Sequence, residues 1–344
     1  MDFTLMQVLI ISPTGGGIGG IAQHVQGLSD FLKKNNHKVE ILSSQNTFTI
    51  PIRGLKNPSF MVSAFLKAKF KQGNDIVHAH NLPSALPMKN TSGKKILTLH
   101  GIYSAQVDLL HGKTTGKLSN SYEKDALTWA DAITVISKEA QGYYTKLGFK
   151  VHLVPNAIDI ASLPKSEERL YEKQVIFAGR LSKEKGILDV LEMSSKLPQD
   201  IHLLILGSGP EEDKVREVAK LRSNVHFLGY VPRKRTISLI RGSDILIQPS
   251  LVEAISSTLL EAMACKTPII ATNVGGNKEL LENNISGVII EPNSPQQILD
   301  RIIDLFLNKE KAAKLKEEAF KHVQKYDWSH VGKLYLNIYE SLLQ

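Results

Sequence analysis

Three groups of residues in this chain have types and spacings that suit chemistry. The apolar run Phe177-Ala178 ends in Gly179-Arg180, and Lys185-Gly186 follows five residues later. Two cations on a strand-to-helix loop would clamp a diphosphate, the guanidinium through its fork and the ammonium as a point charge. The second group runs from Pro249 to Cys265. Ser256 or Ser257 is a natural helix N-cap, so backbone N–H groups at Ser256, Ser257 and Thr258 would receive phosphate oxygens. Glu253 lies before that helix and Glu261 inside it. One carboxylate would face a reacting centre. The other would lie deeper, where an otherwise apolar helix obliges it to find a partner.

The third group is in the first half. Five glycines stand between Gly15 and Gly20, directly after an apolar run. Such a loop lets backbone N–H groups approach an anion at a helix start, and Gly19 and Gly20 open that helix. Gly15-x-Gly17-x-x-Gly20 also fits a dinucleotide fingerprint, with Glu40 as the acidic residue about 20 positions on; a single match of this kind is weak. His100 ends another apolar run, where a strand terminus would bring an imidazole to a ligand. His78 and His80 alternate on one strand face and would suit a metal, but no third ligand is evident and no Asp-x-Asp pair occurs to hold a metal–diphosphate. The expectation is no metal and no resident cofactor. Cys265 reads as a buried thiol.

The elements that must position these groups alternate. Apolar strands are expected at Val8–Ile11, Val39–Leu42, Asp75–His78, Ile96–Leu99, Ala132–Ile136 and Val151–Val154. A second series follows at Val175–Ala178, Leu203–Leu206, Val225–Leu228, Ile245–Ile247, Ile269–Ala271 and Val288–Ile290. Near-continuous Val/Ile/Leu strands between helices are what a parallel sheet covered on both faces requires. The fold class is therefore α/β, with two doubly wound Rossmann-like domains facing across a cleft: residues 1–160, residues 174–326, and a last helix over residues 327–344. The seam falls at Asp159–Gln174, where Pro164 and a charged run interrupt the alternation.

Composition narrows the class further. The chain has 344 residues with 42% apolar and 22% charged residues, ordinary for globular domains. No apolar run reaches the roughly 18 residues of a membrane span, and the N-terminus lacks the charged and cleavable regions of a signal peptide. One cysteine excludes an internal disulfide and fits a reducing compartment, so a cytoplasmic protein is expected. The net charge of +8 lies wholly in residues 1–150, with 17 basic against 9 acidic residues, while the rest has 25 of each. Within residues 51–100 there are 8 basic residues and one acid, Asp75. That asymmetry points to an anionic partner. Residues 60–71 (FMVSAFLKAKFK) read as a helix covering the first domain or lying on anionic lipid, and no nucleic-acid-binding module is evident.

Taken in order, the motifs resemble the family 4 (group 1) retaining glycosyltransferases of the GT-B fold. The matching residues are Gly19-Gly20 with His24-Val25, Asp75 to His80, His100-Gly101, Val154-Pro155-Asn156, Gly179-Arg180 to Lys185-Gly186, Gly207 to Pro210, Phe227 to Pro232, Ser243-Asp244 to Pro249-Ser250, and Glu253-x7-Glu261 running into Ala262-Met263-Ala264. The resemblance implies a hexose-type transfer from a nucleotide-diphosphate sugar (UDP- or GDP-sugar), without metal, to an acceptor that is lipid-linked at the inner membrane face or otherwise anionic. Arg180 and Lys185 would hold the diphosphate with N–H groups near Ser256–Thr258, Glu261 the ribose, and Glu253 the donor sugar. Tyr230 and Val231 would border the base, His100 with Gly19 and Gly20 would complete the site, and the helix of residues 327–344, with Trp328, would pack back on the first domain. A GT-B epimerase, or a non-catalytic homologue binding anionic lipid, are the alternatives the same residues allow.

Overall fold

The computed structural model describes residues 5–15, 19–52, 54–102 and 113–344, with side chains in the helix Lys113–Thr128 described from residue 121. The chain divides into two compact units, Met1–Ala157 with Trp328–Gln344, and Ile158–Asp327.

The first unit is a six-stranded sheet of β1 (Gln7–Ser12), β2 (Lys38–Ser43), β3 (Ile76–His80), β4 (Lys94–Leu99), β5 (Ala132–Val135) and β6 (Val151–Leu153), all parallel, in the order β2-β1-β3-β4-β5-β6. Each expected strand forms, because Val/Ile/Leu-rich runs suit strands covered on both faces; Glu40 on the edge strand β2 and His78 and His80 in β3 are polar exceptions. Along β1, Val8 and Ile10 enter one core layer while Leu9 and Ile11 enter the other. By the same period of two, His78 and His80 share the face of Ile76, which is covered by the first helix (Gly20–Lys34) and the C-terminal helix (Trp328–Leu343). Those two helices pack through glycines. A Cβ at Gly27 would stand 2.1 Å from the Trp328 indole nitrogen, and one at Gly332 would stand 2.4 Å from the Phe31 ring. On the C-terminal helix Val331, Tyr335, Leu336 and Tyr339 are buried, while Leu334 is 42% exposed.

The second unit has β7 (Gln174–Ala178), β8 (His202–Leu206), β9 (Val225–Gly229), β10 (Ile245–Gln248), β11 (Ile269–Thr272) and β12 (Val288–Ile290), parallel, in the order β12-β11-β10-β7-β8-β9. Strand order reverses between β7 and β10, and ligands in such sheets bind outside the carboxyl ends of the strands at that switch point. The stretch 159–173 forms no strand or helix, yet it lies packed on this unit. Arg169 makes a forked pair with Asp244 at 2.6 and 2.7 Å, and Glu168 accepts from Arg235 at 2.7 Å. Its charges serve as fastenings.

Filling the glycine contact of the first unit should loosen it. Gly27→Ala is expected to lower stability by about 1–3 kcal/mol, the usual effect of overpacking. The expected readout is a lower urea midpoint in tryptophan emission; an unchanged midpoint would show that the helices separate freely.

Candidate active site

The site of the second unit is built by loops pressed backbone to backbone at the switch point. Gly186 has φ +70, and a Cβ there would lie 1.8 Å from the Pro249 carbonyl oxygen. Only glycine lets the loop after β7 meet the loop after β10 this closely. The contact is completed by Leu251 N–H donating to the Glu184 carbonyl at 2.8 Å. On the other side, Gly207 (φ +133) brings the loop after β8 against the Gly179 carbonyl.

That packing decides where the predicted residues fall. Lys185 Nζ lies 2.6 Å from Glu253 Oε2, so the clamp cation and the proposed sugar-positioning carboxylate form one ion pair. The same oxygen also accepts from Gln248 Nε2 at 3.0 Å and Ser250 Oγ at 3.2 Å. All three donors converge on Oε2, which leaves Oε1 as the atom available to a ligand hydroxyl. Arg180 is the less committed cation. Its side chain is more than half exposed and its nearest carboxylate, Glu184, is 3.7 Å away.

The helix after β10 spans Ser257–Ala264, and Ser256 is its N-cap, with Oγ accepting from Leu259 N–H at 3.3 Å and from Gln248 Nε2 at 2.7 Å. The N–H groups of Ser257 and Thr258 in its first turn have no intrahelical acceptor. Glu261 is buried, and its Oε1 accepts from Arg233 Nε at 3.0 Å and from the Arg233 terminal nitrogen at 2.9 Å. Burial pushes its carboxyl above the usual range more than Arg233 pulls it back. In this structure Glu261 is thus the paired, deeper carboxylate of the two. Tyr230, just past β9, is 54% exposed, and Val231 beside it is buried. Cys265 is buried, and desolvation raises its thiol to about 11.

In the first unit His100 lies 8% exposed at the end of β4, with its Nε2 3.0 Å from His80 Nδ1. His24, from the first helix, bonds Asn156 Oδ1 at 2.9 Å and the Tyr335 hydroxyl at 3.0 Å. His78 bonds the Tyr339 hydroxyl at 2.7 Å and Thr98 Oγ1 at 2.6 Å. The third metal-ligand candidate missing from the sequence reading is therefore present, though not beside His78. His24, His80 and His100 offer nitrogens within 4.8 Å of one another. In the structure, however, both nitrogens of His24 are engaged by Asn156 and Tyr335.

His80 Nε2 is buried without a partner. An orphaned lone pair is tolerated better than an orphaned N–H, so we assign the His80 proton to Nδ1, donated to His100 Nε2. His100 then carries its own proton on Nδ1. Glu40, the acid of the dinucleotide fingerprint, lies within β2 and pairs with Lys71. Gly19 and Gly20 stand at the start of the first helix; residues 16–18 of that fingerprint lie outside the described residues. Gln248, Arg233, Asn156 and Tyr335 had no sequence-derived role. Gln248 carried a signal as the one polar residue of the strand Ile245–Gln248, and Asn156 stands in the motif Val154-Pro155-Asn156.

Two six-stranded parallel sheets, each flanked by helices in a doubly wound arrangement, define the GT-B type of fold. Residues 160–322 match the family described as "Glycosyl transferases group 1", and residues 18–162 match "Glycosyltransferase Family 4". The chain belongs to this group 1, family 4 set and is a glycosyltransferase. Among curated relatives it is 25% identical to the phosphatidyl-myo-inositol mannosyltransferase of Mycolicibacterium smegmatis, over 94% of this chain and 90% of that one. It is 23% identical to an uncharacterized glycosyltransferase of Methanocaldococcus jannaschii, over 95% of each. Among solved structures, sucrose-phosphate synthase of Thermosynechococcus elongatus superposes with TM-score 0.83 at 19% identity, covering 98% and 99% of the two chains. Anabaena HepE, in complex with UDP and glucose, superposes at 0.77 and 19% identity, covering 98% and 100%. These structures share the fold.

The histidine cluster predicts a pH response. Burial lowers His24 to about 4 and His78 to about 3, and holds His80 and His100 well below 6.5. Below about 6.5 the unfolded chain binds protons that the folded unit refuses, so stability is full above that pH and is lost as pH falls toward 4. The urea midpoint of the first unit should drop across this window, and His24→Gln should flatten the drop. A pH-independent midpoint would overturn the neutral assignment.

Proposed function

We propose that this glycosyltransferase moves a hexose from a nucleotide-diphosphate sugar, with retention of configuration and without a metal ion. The observation that carries the reading is that the switch-point loops carry both an open guanidinium, Arg180, and a carboxylate, Glu253, whose Oε2 is fixed by Lys185, Gln248 and Ser250. Arg180 and an ammonium of Lys185 that retains further donors would neutralise the diphosphate, joined by the N–H groups of Ser257 and Thr258. That supplies charge which a metal supplies elsewhere. Glu253 Oε1 would hold a sugar hydroxyl and so orient the anomeric carbon. Glu261 and Arg233 would meet the ribose, with Tyr230 and Val231 beside the base. In the first unit His100, Gly19 and Gly20 are the residues proposed for ligand contact.

In the transfer step the bond from the anomeric carbon to the diphosphate oxygen breaks. The acceptor oxygen forms the new bond on the same face, and its proton passes to the departing diphosphate. A carboxylate held by three donors suits positioning rather than a swinging nucleophile. UDP is the first donor nucleotide to try, because HepE was solved with it. A phospholipid-type acceptor is supported by the mannosyltransferase relative's name and by the basic first half of the chain. Action at the cytoplasmic face of a membrane is part of the same reading.

Calorimetric titration with UDP-, GDP- and ADP-sugars tests it. One donor is expected to bind selectively, and Arg180→Ala should weaken that binding about 10- to 100-fold, the loss of a charged hydrogen bond. Glu253→Gln should keep nucleotide affinity and lose turnover. Unchanged affinity in Arg180→Ala would remove the clamp, and binding of no donor would remove the reading.

A further inference from the structure

The helix Lys56–Ala68 is apolar on two opposite sides. Phe60, Ala64 and Ala68 are fully buried in the core of the first unit. At 100° per residue the opposite side is the stripe Leu55, Val62 and Leu66, which Phe70 continues past the helix end. These are 48%, 60%, 56% and 86% exposed. The chain before the helix is tied along the edge of that stripe. Ile50 N–H donates to Ser59 Oγ at 2.9 Å, Ser63 Oγ donates to the Phe48 carbonyl at 2.6 Å, and the Lys67 ammonium reaches the Asn46 carbonyl. Phe48 and Ile52 are thereby held beside the stripe, themselves 73% and 58% exposed. Six of the sixteen exposed large apolar side chains among the described residues fall within residues 48–70. Exposed apolar residues scattered singly are ordinary, but a contiguous group marks an interaction surface.

The charge around it selects the partner. Residues 46–74 contain no Asp or Glu, while Lys56, Lys67, Lys69 and Lys71 surround the stripe; Lys71 alone is neutralised, by Glu40. A second copy of the chain would bring these cations against their own kind. An anionic bilayer meets both features at once: the apolar stripe enters the headgroup–acyl boundary, and the lysines lay their stems along it with ammonium groups at phosphate level. We propose that the helix Lys56–Ala68, with the segment tied along it, is a membrane-docking surface that seats the first unit on anionic lipid. This deepens the membrane part of the proposed function and rests on it there; lipid binding is measured without turnover, so docking and transfer can each fail alone.

The test is co-sedimentation of the full chain with phosphatidylcholine vesicles and with phosphatidylcholine–phosphatidylglycerol vesicles, across a salt series. The protein is expected on the phosphatidylglycerol vesicles and released as salt rises. Leu66→Glu/Phe70→Glu, at exposed positions where circular dichroism should report an unchanged fold, is expected to weaken binding at least about tenfold. Lys67→Ala/Lys69→Ala should weaken it about fivefold per charge and flatten the salt dependence. Failure to bind either vesicle, or binding that the Leu66/Phe70 variant leaves intact, would overturn the proposal. So would self-association that the same variant abolishes, since the face would then belong to a second copy.

Discussion

The second unit's site depends on one ion pair and on the backbone contact that makes it possible. Lys185 and Glu253 are 68 residues apart, and they meet at 2.6 Å because the loops after β7 and β10 touch where Gly186 has no side chain. Gln248 and Ser250 add their donors to the same carboxylate oxygen, so the geometry is set from the strand end, the loop and the opposing loop together. A carboxylate held from three directions keeps one oxygen oriented toward whatever lies outside the switch point. The cost of ordering it has been met in folding rather than at ligand binding.

The first unit solves a different problem, that of placing polar rings in an apolar layer. His78 and His80 occupy strand positions whose neighbours are core residues, and unpaired they would be costly. Tyr335 and Tyr339, from the last turns of the C-terminal helix, bring hydroxyls to His24 and His78. The cluster is thus closed by the end of the chain: residues 328–343 supply both aromatic packing and hydrogen-bond partners to strands formed some 250 residues earlier. The single tautomer assigned to His80 follows from that enclosure, and it determines which nitrogen His100 presents.

The two units also divide the electrostatics. The excess positive charge belongs to the first, where a helix uses one apolar side for the core and turns the other outward among lysines. The second is balanced overall, and Arg180 and Lys185 stand on its loop after β7. A donor that carries a diphosphate and an acceptor on an anionic surface would each meet the part of the chain suited to it.

The amino-acid sequence by itself determined the elements: all twelve strands fall on Val/Ile/Leu-rich runs, although Glu40 interrupts β2 and His78 and His80 interrupt β3, because strands covered by helices on both faces are built mainly from such residues. It also marked Arg180, Lys185, Glu253 and Glu261 through glycines and a helix cap, which are local signals. Tertiary structure alone decided their pairings. That Lys185 holds Glu253, that Arg233 holds Glu261, and that His24 joins His80 and His100 depend on strand order and loop approach, which no spacing in the chain encodes. The same holds for the helix Lys56–Ala68, whose two apolar sides look alike in sequence until the sheet buries one of them.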